Sequence, residues 1–313
     1  MRPRISAVLA VGVGSAALAV WAVRRRERQG AVQADGEEPS LEPLTLASLR
    51  QPETGERLEW SLDDVGHRVL VTLPSGRPVP LREGFADLLV AGDVVGPNRV
   101  WQHRYDRFAP FYDAATRSYA RLRSGGDERR VREYLDALDI RPRDRVLEVS
   151  VGTGRNLHYL PPEAAYVGLD ISIGMLRVCR ANLSRWGRHA DLVLGTAEHL
   201  PFADASFDVV FHIGGINLFA DPGSAVAEMA RVARPGAQVL VVDETERVAR
   251  AYRWPPTRTG TRGPTVNPMA LVPPGMVEPD LAVVAKGELY RFTFRTPPAA
   301  PAEGRGQDPG LER

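Results

Sequence analysis

One short stretch combines a buried-strand pattern, a carboxylate and a glycine pair at spacings that suit a cationic nucleoside. The run Val146-Leu147-Glu148-Val149-Ser150-Val151-Gly152-Thr153-Gly154-Arg155-Asn156 reads as a strand entering a glycine-rich turn and then a helix. Glycine lets a backbone approach a ligand closely, and ligands of open α/β sheets bind beyond the carboxyl ends of the strands. Glu148 sets a negative charge beside the turn, where a pyrophosphate would be repelled and a cation welcomed. Leu157 stands where G-x-G-x-x-G requires its third glycine, so the dinucleotide fingerprint is incomplete. Asp170 follows Glu148 by 22 residues and ends a second strand, where its carboxylate can accept hydrogen bonds from ribose hydroxyls.

The elements that must position these groups alternate. Apolar, β-branched runs occur at 145–151, 166–171, 191–195, 207–213 and 238–242, with helical patterns at about 174–186 and 222–234. Strand–helix alternation with nearly continuous apolar strands predicts a parallel sheet covered on both faces. A final pair, 281–285 and 288–295, joined across Lys286-Gly287, predicts an antiparallel hairpin. Upstream, aromatic residues recur at helical spacing between Val100 and Leu138, with a Gly125-Gly126 break before a second helix near 128–138.

A positively charged nucleoside without phosphate is S-adenosylmethionine, and at this point a family resemblance is visible. The ordered words Glu148-Val149-Ser150-Val151-Gly152-Thr153-Gly154, Gly168-Leu169-Asp170-Ile171-Ser172, Gly195-Thr196-Ala197-Glu198-His199-Leu200-Pro201-Phe202 and Glu228-Met229-Ala230-Arg231-Val232 make the chain resemble class I S-adenosylmethionine-dependent methyltransferases. The likeness is to the type-11 group, which includes quinone-biosynthesis C-methyltransferases. It implies a Rossmann-like, seven-stranded, doubly wound α/β sheet, mostly parallel, with a C-terminal antiparallel hairpin. It further implies that Glu148, Ser150, Gly152 and Gly154 cradle the methionine portion, that Asp170 and Ile171 hold the ribose, and that Thr196, Ala197 and Glu198 line the adenine pocket. Two positions depart from the pattern: Ser150 replaces a glycine, and Thr196 replaces the frequent aspartate that reads the adenine amino group. Weaker cofactor binding is expected from the second.

Methyl transfer is a displacement at an already activated carbon, so a general base is needed only if the acceptor must lose a proton. His212 is the base candidate, against the plainer reading of a structural strand-end histidine, and Asn217 is a candidate for orienting the acceptor. Asp243-Glu244 could reach the site or stabilise a helix N-terminus, and Tyr105 and Tyr112 could cap the cofactor or simply pack. Replacing Asp170 with alanine is expected to abolish cofactor binding and leave the fold intact. The rival to turnover is a binding module that has kept the cofactor fold without activity. A nicotinamide-dependent oxidoreductase is disfavoured by Leu157 and Glu148.

Ile5 to Val23 carries no charge and is bracketed by Arg2, Arg4, Arg24, Arg25, Arg26 and Arg28. As a helix it would span about 28 Å, near the ~30 Å hydrocarbon core of a bilayer. A cleaved signal ending at Ala17-Leu18-Ala19 and a buried soluble helix are the alternatives, but a run that continues to Val23 and stops at arginines favours an uncleaved anchor. The expected organisation is a transmembrane anchor with basic flank at 1–28, a linker at 29–43, a small β-rich zinc-ribbon-like segment without cysteines at 44–99, the methyltransferase domain at 100–296 and a disordered tail at 297–313. The segment at 44–99 has Gln51 where a zinc ribbon would carry a cysteine, so no metal is expected. A single-pass membrane protein follows, with its catalytic domain on the cytoplasmic side and a small-molecule acceptor, a lipophilic one being suggested by the anchor.

The 313 residues carry 40 basic and 39 acidic side chains, a net charge of +1, so no global field exists to hold nucleic acid. The single cysteine, Cys179, excludes intrachain disulfides and any all-cysteine zinc cluster.

Overall fold

A computed structural model describes residues 41–124, 127–251 and 267–299. The expected anchor, most of the linker, the Gly125-Gly126 break and most of the tail lie outside the described residues. Among the described residues no helix is long and apolar enough to cross a membrane.

The described residues begin with helix α1 (Pro43–Ser48), then strands β1 (Arg57–Leu62), β2 (Arg68–Leu73), β3 (Pro78–Val79), β4 (Leu81–Arg82) and β5 (Phe85–Asp87). Helices α2 (Gly96–Ser124) and α3 (Asp127–Leu135) follow. The remainder is β6 (Arg145–Val149), β7 (Ala165–Asp170), α4 (Ile173–Trp186), β8 (Asp191–Leu194), β9 (Phe207–Ile213), α5 (Pro222–Val232), β10 (Ala233–Glu244), α6 (Glu246–Ala251), β11 (Val277–Val284) and β12 (Leu289–Arg295).

The main sheet runs β11-β12-β10-β9-β6-β7-β8-β5-β4. Strands β8, β7, β6, β9 and β10 are parallel, and β12 returns antiparallel between β10 and β11. The seven expected strands are all present. The sheet is nevertheless nine-stranded, because Ala86 and Asp87 of β5 pair parallel with Val193 and Leu194, and β4 extends that edge. Strand order reverses between β6 and β9, which places a ligand crevice at the end of β6.

Both faces of the sheet are covered, as the apolar runs require. Leu147, Val149, Val210, Val239 and Val241 pack into one layer, and Val146, Val209, Phe211, Leu240 and Val242 into the other. Local signals set the helix ends. Ser172 caps α4 by accepting from the Met175 N–H, and Gly187 closes it in the left-handed region at φ 61°. Asp221 caps α5 ahead of Pro222, whose missing N–H costs nothing at that position. The helix expected after the glycine turn is only a 3₁₀ turn, Asn156–His158. Pro161 and Pro162 follow closely, and neither can donate to a continuing helix.

Strands β1, β2 and β3 form a small separate antiparallel sheet. Side-chain hydrogen bonds tie its turns together. Gln51 Oε1 accepts from the N–H groups of Glu53 (2.5 Å) and Thr54 (3.0 Å). The Glu56 carboxylate then joins this turn to the next one, accepting from Thr54 Oγ1 (3.1 Å), Ser75 N (3.0 Å) and Ser75 Oγ (2.9 Å). No cluster of potential metal ligands occurs among the described residues.

Arg145, only 9% exposed, fastens this lead-in to the sheet. Its guanidinium donates to Ser206 O (2.8 Å), Leu44 O (3.0 Å) and Ser48 Oγ (3.1 Å). Arg145→Met would remove three hydrogen bonds to buried or half-buried acceptors, at a cost of about 2 kcal/mol. Thermal unfolding should therefore shift down by roughly 4–8 °C. An unchanged midpoint would show that α1 docks without this contact.

Candidate active site

The glycine turn is built from left-handed backbone. Ser150 (φ 59°), Gly152 (φ 55°) and Gly154 (φ 74°) all sit at positive φ. Ser150 adopts the geometry of the glycine it replaces at a cost of about 1 kcal/mol. The two glycines serve different ends. A Cβ on Gly154 would lie 2.6 Å from Cys179 Sγ on α4, so this position is set by packing. A Cβ on Gly152 would meet nothing within 4 Å, which leaves its backbone open to a ligand.

Asp170 organises the turn from the end of β7. Its Oδ2 accepts from the Gly152 N–H and its Oδ1 from the Ser172 N–H, both at 2.8 Å. Glu148, 1% exposed, lies beneath; Oε1 accepts from Asn156 Nδ2 at 2.6 Å, and Oε2 is buried without a hydrogen-bond partner. Burial is the main reason that the Glu148 carboxyl is pushed up to about 8 and that of Asp170 to about 6. Two buried carboxyls whose ionisation burial disfavours, one of them with an orphaned oxygen, describe a site short of a cation.

Above the turn is a cavity of about 470 Å³, within the range of small-molecule sites. Ser150, Gly152 and Asp170 lie on one side of it, and Ile213, Gly214, Leu218, Phe219, Asp243 and Glu244 line it further along. Helix α2 supplies a whole wall: Asn98, Trp101, Tyr105, Tyr112 and Thr116 fall on one helical stripe. Burial and the neighbouring Tyr112 push the Tyr105 hydroxyl pKa up, so this ring stays neutral.

That wall is held in place by polar contacts that carry no sequence signal of their own. Gln102 Nε2 donates to Ile171 O at 2.9 Å. Asp106 Oδ1 accepts from Ser172 Oγ (2.6 Å) and Gly174 N (2.9 Å), at an approach that a Cβ on Gly174 would block, 2.7 Å from Asp106 Cα. Asp113 accepts from Thr153 Oγ1 (2.6 Å) and Asn182 Nδ2 (2.9 Å). Helix α2 thus grips both the turn and the ribose-side strand end.

Of the expected cofactor residues, Ser150, Gly152, Asp170 and Ile171 line the cavity, while Glu148 and Gly154 support it from below. Thr196, Ala197 and Glu198 do not line it. Thr196 donates its hydroxyl to Asp93 Oδ2 at 2.7 Å, and Glu198 accepts from Asn98 Nδ2 at 2.9 Å. Asp93, on the loop that precedes α2, thus sets a carboxylate beside Thr196.

Neither base nor orienting candidate lines the cavity. His212 shares its sheet face with Val210, opposite to Ile213, and is fully buried. Its Nδ1 lies 2.9 Å from Val149 O, its ring packs on Phe219 at 5.0 Å, and burial lowers its pKa, keeping it neutral. This places it as a support for Phe219. Asn217 is spent on Asp243, donating through both N (3.0 Å) and Nδ2 (2.9 Å) to Oδ2. Asp243 in turn accepts from the Gly215 N–H at 3.1 Å, so it shapes the loop at 214–217 while facing the cavity.

Residues 147–241 match the family described as a methyltransferase domain. The chain is similar to a demethylmenaquinone methyltransferase of Renibacterium salmoninarum, 38% identical over 141 residues, covering 44% of this chain and 56% of that protein. A demethylmenaquinone methyltransferase of Mycobacterium sp. (strain KMS) is 37% identical over 151 residues, 46% of this chain and 62% of the relative. Phthiotriol/phenolphthiotriol dimycocerosates methyltransferase 1 of Mycobacterium ulcerans is 39% identical over 102 residues, 32% of this chain and 37% of the relative. The chain thus spans between about a third and three-fifths of these relatives' length.

Proposed function

We propose that the chain is an S-adenosylmethionine-dependent methyltransferase acting on a small, lipophilic acceptor. The observation that carries this reading is the left-handed turn at 150–154, pinned by Asp170 and underlain by an incompletely paired Glu148, within the segment that matches the methyltransferase family. Bound S-adenosylmethionine would supply an electrophilic methyl group on a sulfonium. Gly152 and its neighbours would hold the methionine portion, with Glu148 the countercharge. Asp170 would accept from the ribose hydroxyls with the lone pairs that the Gly152 and Ser172 N–H groups leave available.

The protein's own part is alignment and exclusion of water. Trp101 and Tyr105 on one side, and Leu218, Phe219 and Leu289 on the other, offer an apolar surface to an acceptor. If the acceptor must lose a proton, Glu244 would be the base, since the other lining carboxylates, Asp170 and Asp243, already accept backbone N–H groups. His212 and Asn217 would act one layer behind, holding Phe219 and Asp243. The lipophilic acceptor draws support from the names of the relatives and from these walls. The single-pass anchor and cytoplasmic placement rest on the charge pattern around residues 5–23 alone.

The test is incubation of the full chain with S-adenosylmethionine and a bacterial lipid extract, read by mass spectrometry for a product that has exchanged hydrogen for methyl. Calorimetry with the cofactor should show binding below millimolar concentration. Absence of binding overturns the reading. Binding without any methylated product would favour a cofactor-binding module, the second reading, since Thr196, Ala197 and Glu198 do not line the cavity.

A further inference from the structure

We propose that the outward stripe of α2 docks on an anionic lipid surface, setting the cavity beside it against the membrane. The argument begins with charge. Between Val95 and Ala114 the exposed charged positions are Arg99, Arg104 and Arg107; Arg99, His103 and Arg107 follow one row along the helix, and Arg104 stands beside it. Both acids of this stretch, Asp106 and Asp113, face inward and are occupied by Ser172, Gly174, Thr153 and Asn182. Three positive charges therefore stand together on a chain whose net charge is only +1.

Apolar side chains stand among them. Phe108 is 52% exposed, and Val95, just before the helix, 53%. A helix whose exposed face carries arginines and, at its border with the cavity wall, a bare phenylalanine, with its remaining face packed, has the composition of an interfacial helix, whose rings enter the headgroup boundary while cations meet anionic lipids. The surface is a convex stripe. Single-stranded nucleic acid is held in a positively charged groove lined with stacking rings, which this is not. Trp101 and Tyr105, which line the cavity, stand seven and three residues before Phe108 on the helix and so border it, and a lipophilic molecule leaving the bilayer at Phe108 would meet the cavity at the flank of the helix. The docking surface deepens the methyltransferase reading, but its test needs neither cofactor nor acceptor and can fail independently.

The full chain carrying Phe108→Cys would be labelled with an environment-sensitive dye; Cys179 is fully buried and does not compete. Vesicles of phosphatidylglycerol in phosphatidylcholine should shift the dye emission to the blue, and phosphatidylcholine alone should not. Salt at about 0.5 M should reverse the shift. Adding Arg99→Glu and Arg107→Glu should raise the lipid concentration needed by roughly thirtyfold or more, from about 1 kcal/mol per basic residue. Arg104 is left in place because it stacks over Trp101 at 4.9 Å. The same dye at Val65→Cys, exposed in the lead-in, should stay unchanged.

Three results would overturn the proposal. The chain could sediment with vesicles while the dye at 108 is silent, which would put any membrane contact elsewhere. The dyes at 65 and 108 could respond equally. An acidic polypeptide or single-stranded DNA could produce the response at lower concentration than vesicles, which would reassign the stripe to that partner.

Discussion

Asp170→Ala is expected to weaken S-adenosylmethionine binding by at least about a hundredfold and also to lower the stability of the cofactor-free protein by about 2 kcal/mol. Sequence alone predicts only the first effect. The second follows from the two 2.8 Å hydrogen bonds that Asp170 accepts, from Gly152 N and Ser172 N, at a side chain 5% exposed. Alanine leaves both N–H groups buried without an acceptor, and the turn at 150–154 already stores strain at Ser150. The affinity loss combines two sources: the missing acceptors for the ribose and a turn no longer held in its binding shape. Asp170→Asn separates them. Its amide oxygen can keep one backbone N–H, so stability should recover in part while affinity stays low. Calorimetry and thermal denaturation on both variants check this, and unchanged affinity in the alanine variant would refute the ribose role.

The division between what sequence showed and what it hid has a physical logic. The seven-stranded sheet was legible because strands buried on both faces become apolar runs, and caps such as Ser172 and Asp221 mark helix starts. Strands β4 and β5 were not, since segments of two and three residues have no period. The short 3₁₀ turn after Gly154 could have been read from Pro161 and Pro162. Between a base and a structural strand-end histidine, the sequence leaves His212 undecided, because choosing a face needs the parity of the whole strand against its neighbours; Ile213 rather than His212 looks into the cavity. The grip of Gln102, Asp106 and Asp113 on the cofactor site spans 40 to 69 residues of sequence, and no local pattern announces it. The Asp93–Thr196 contact, 103 residues apart, belongs to the same class.

Glu148 gives the second large effect, which appears as pH dependence. Its carboxyl is pushed up to about 8 in the folded protein from an ordinary value of 4.5, mainly by burial. The folded state therefore holds a proton that the unfolded state has already released, and stability falls as pH rises from about 4.5 to about 8. Asp170, raised to about 6, adds to the fall at the acid end. His212 opposes it there, because its lowered pKa makes the unfolded state the better proton acceptor up to about 6.5. Between about 6.5 and 8 the slope belongs to Glu148, and it should amount to roughly 2 kcal/mol. Carboxylates with lowered values, such as Glu83 and Asp221, titrate below this window. A cationic cofactor reverses the sign, since it favours the ionised carboxylate: affinity for S-adenosylmethionine should climb across the interval in which the cofactor-free protein weakens. The demethylated product, with a neutral sulfur, should climb less. Glu148→Gln removes the buried charge while keeping an oxygen for Asn156. It should flatten the stability profile, leave the cofactor-free protein more stable than the parent at pH 8, and bind cofactor at least about tenfold more weakly. Melting curves at half-unit steps from pH 5.5 to 8.5, with and without cofactor, decide the matter. A parent profile that is flat or rising above about pH 6.5 would mean that Glu148 is ionised in the cofactor-free fold and already compensated there.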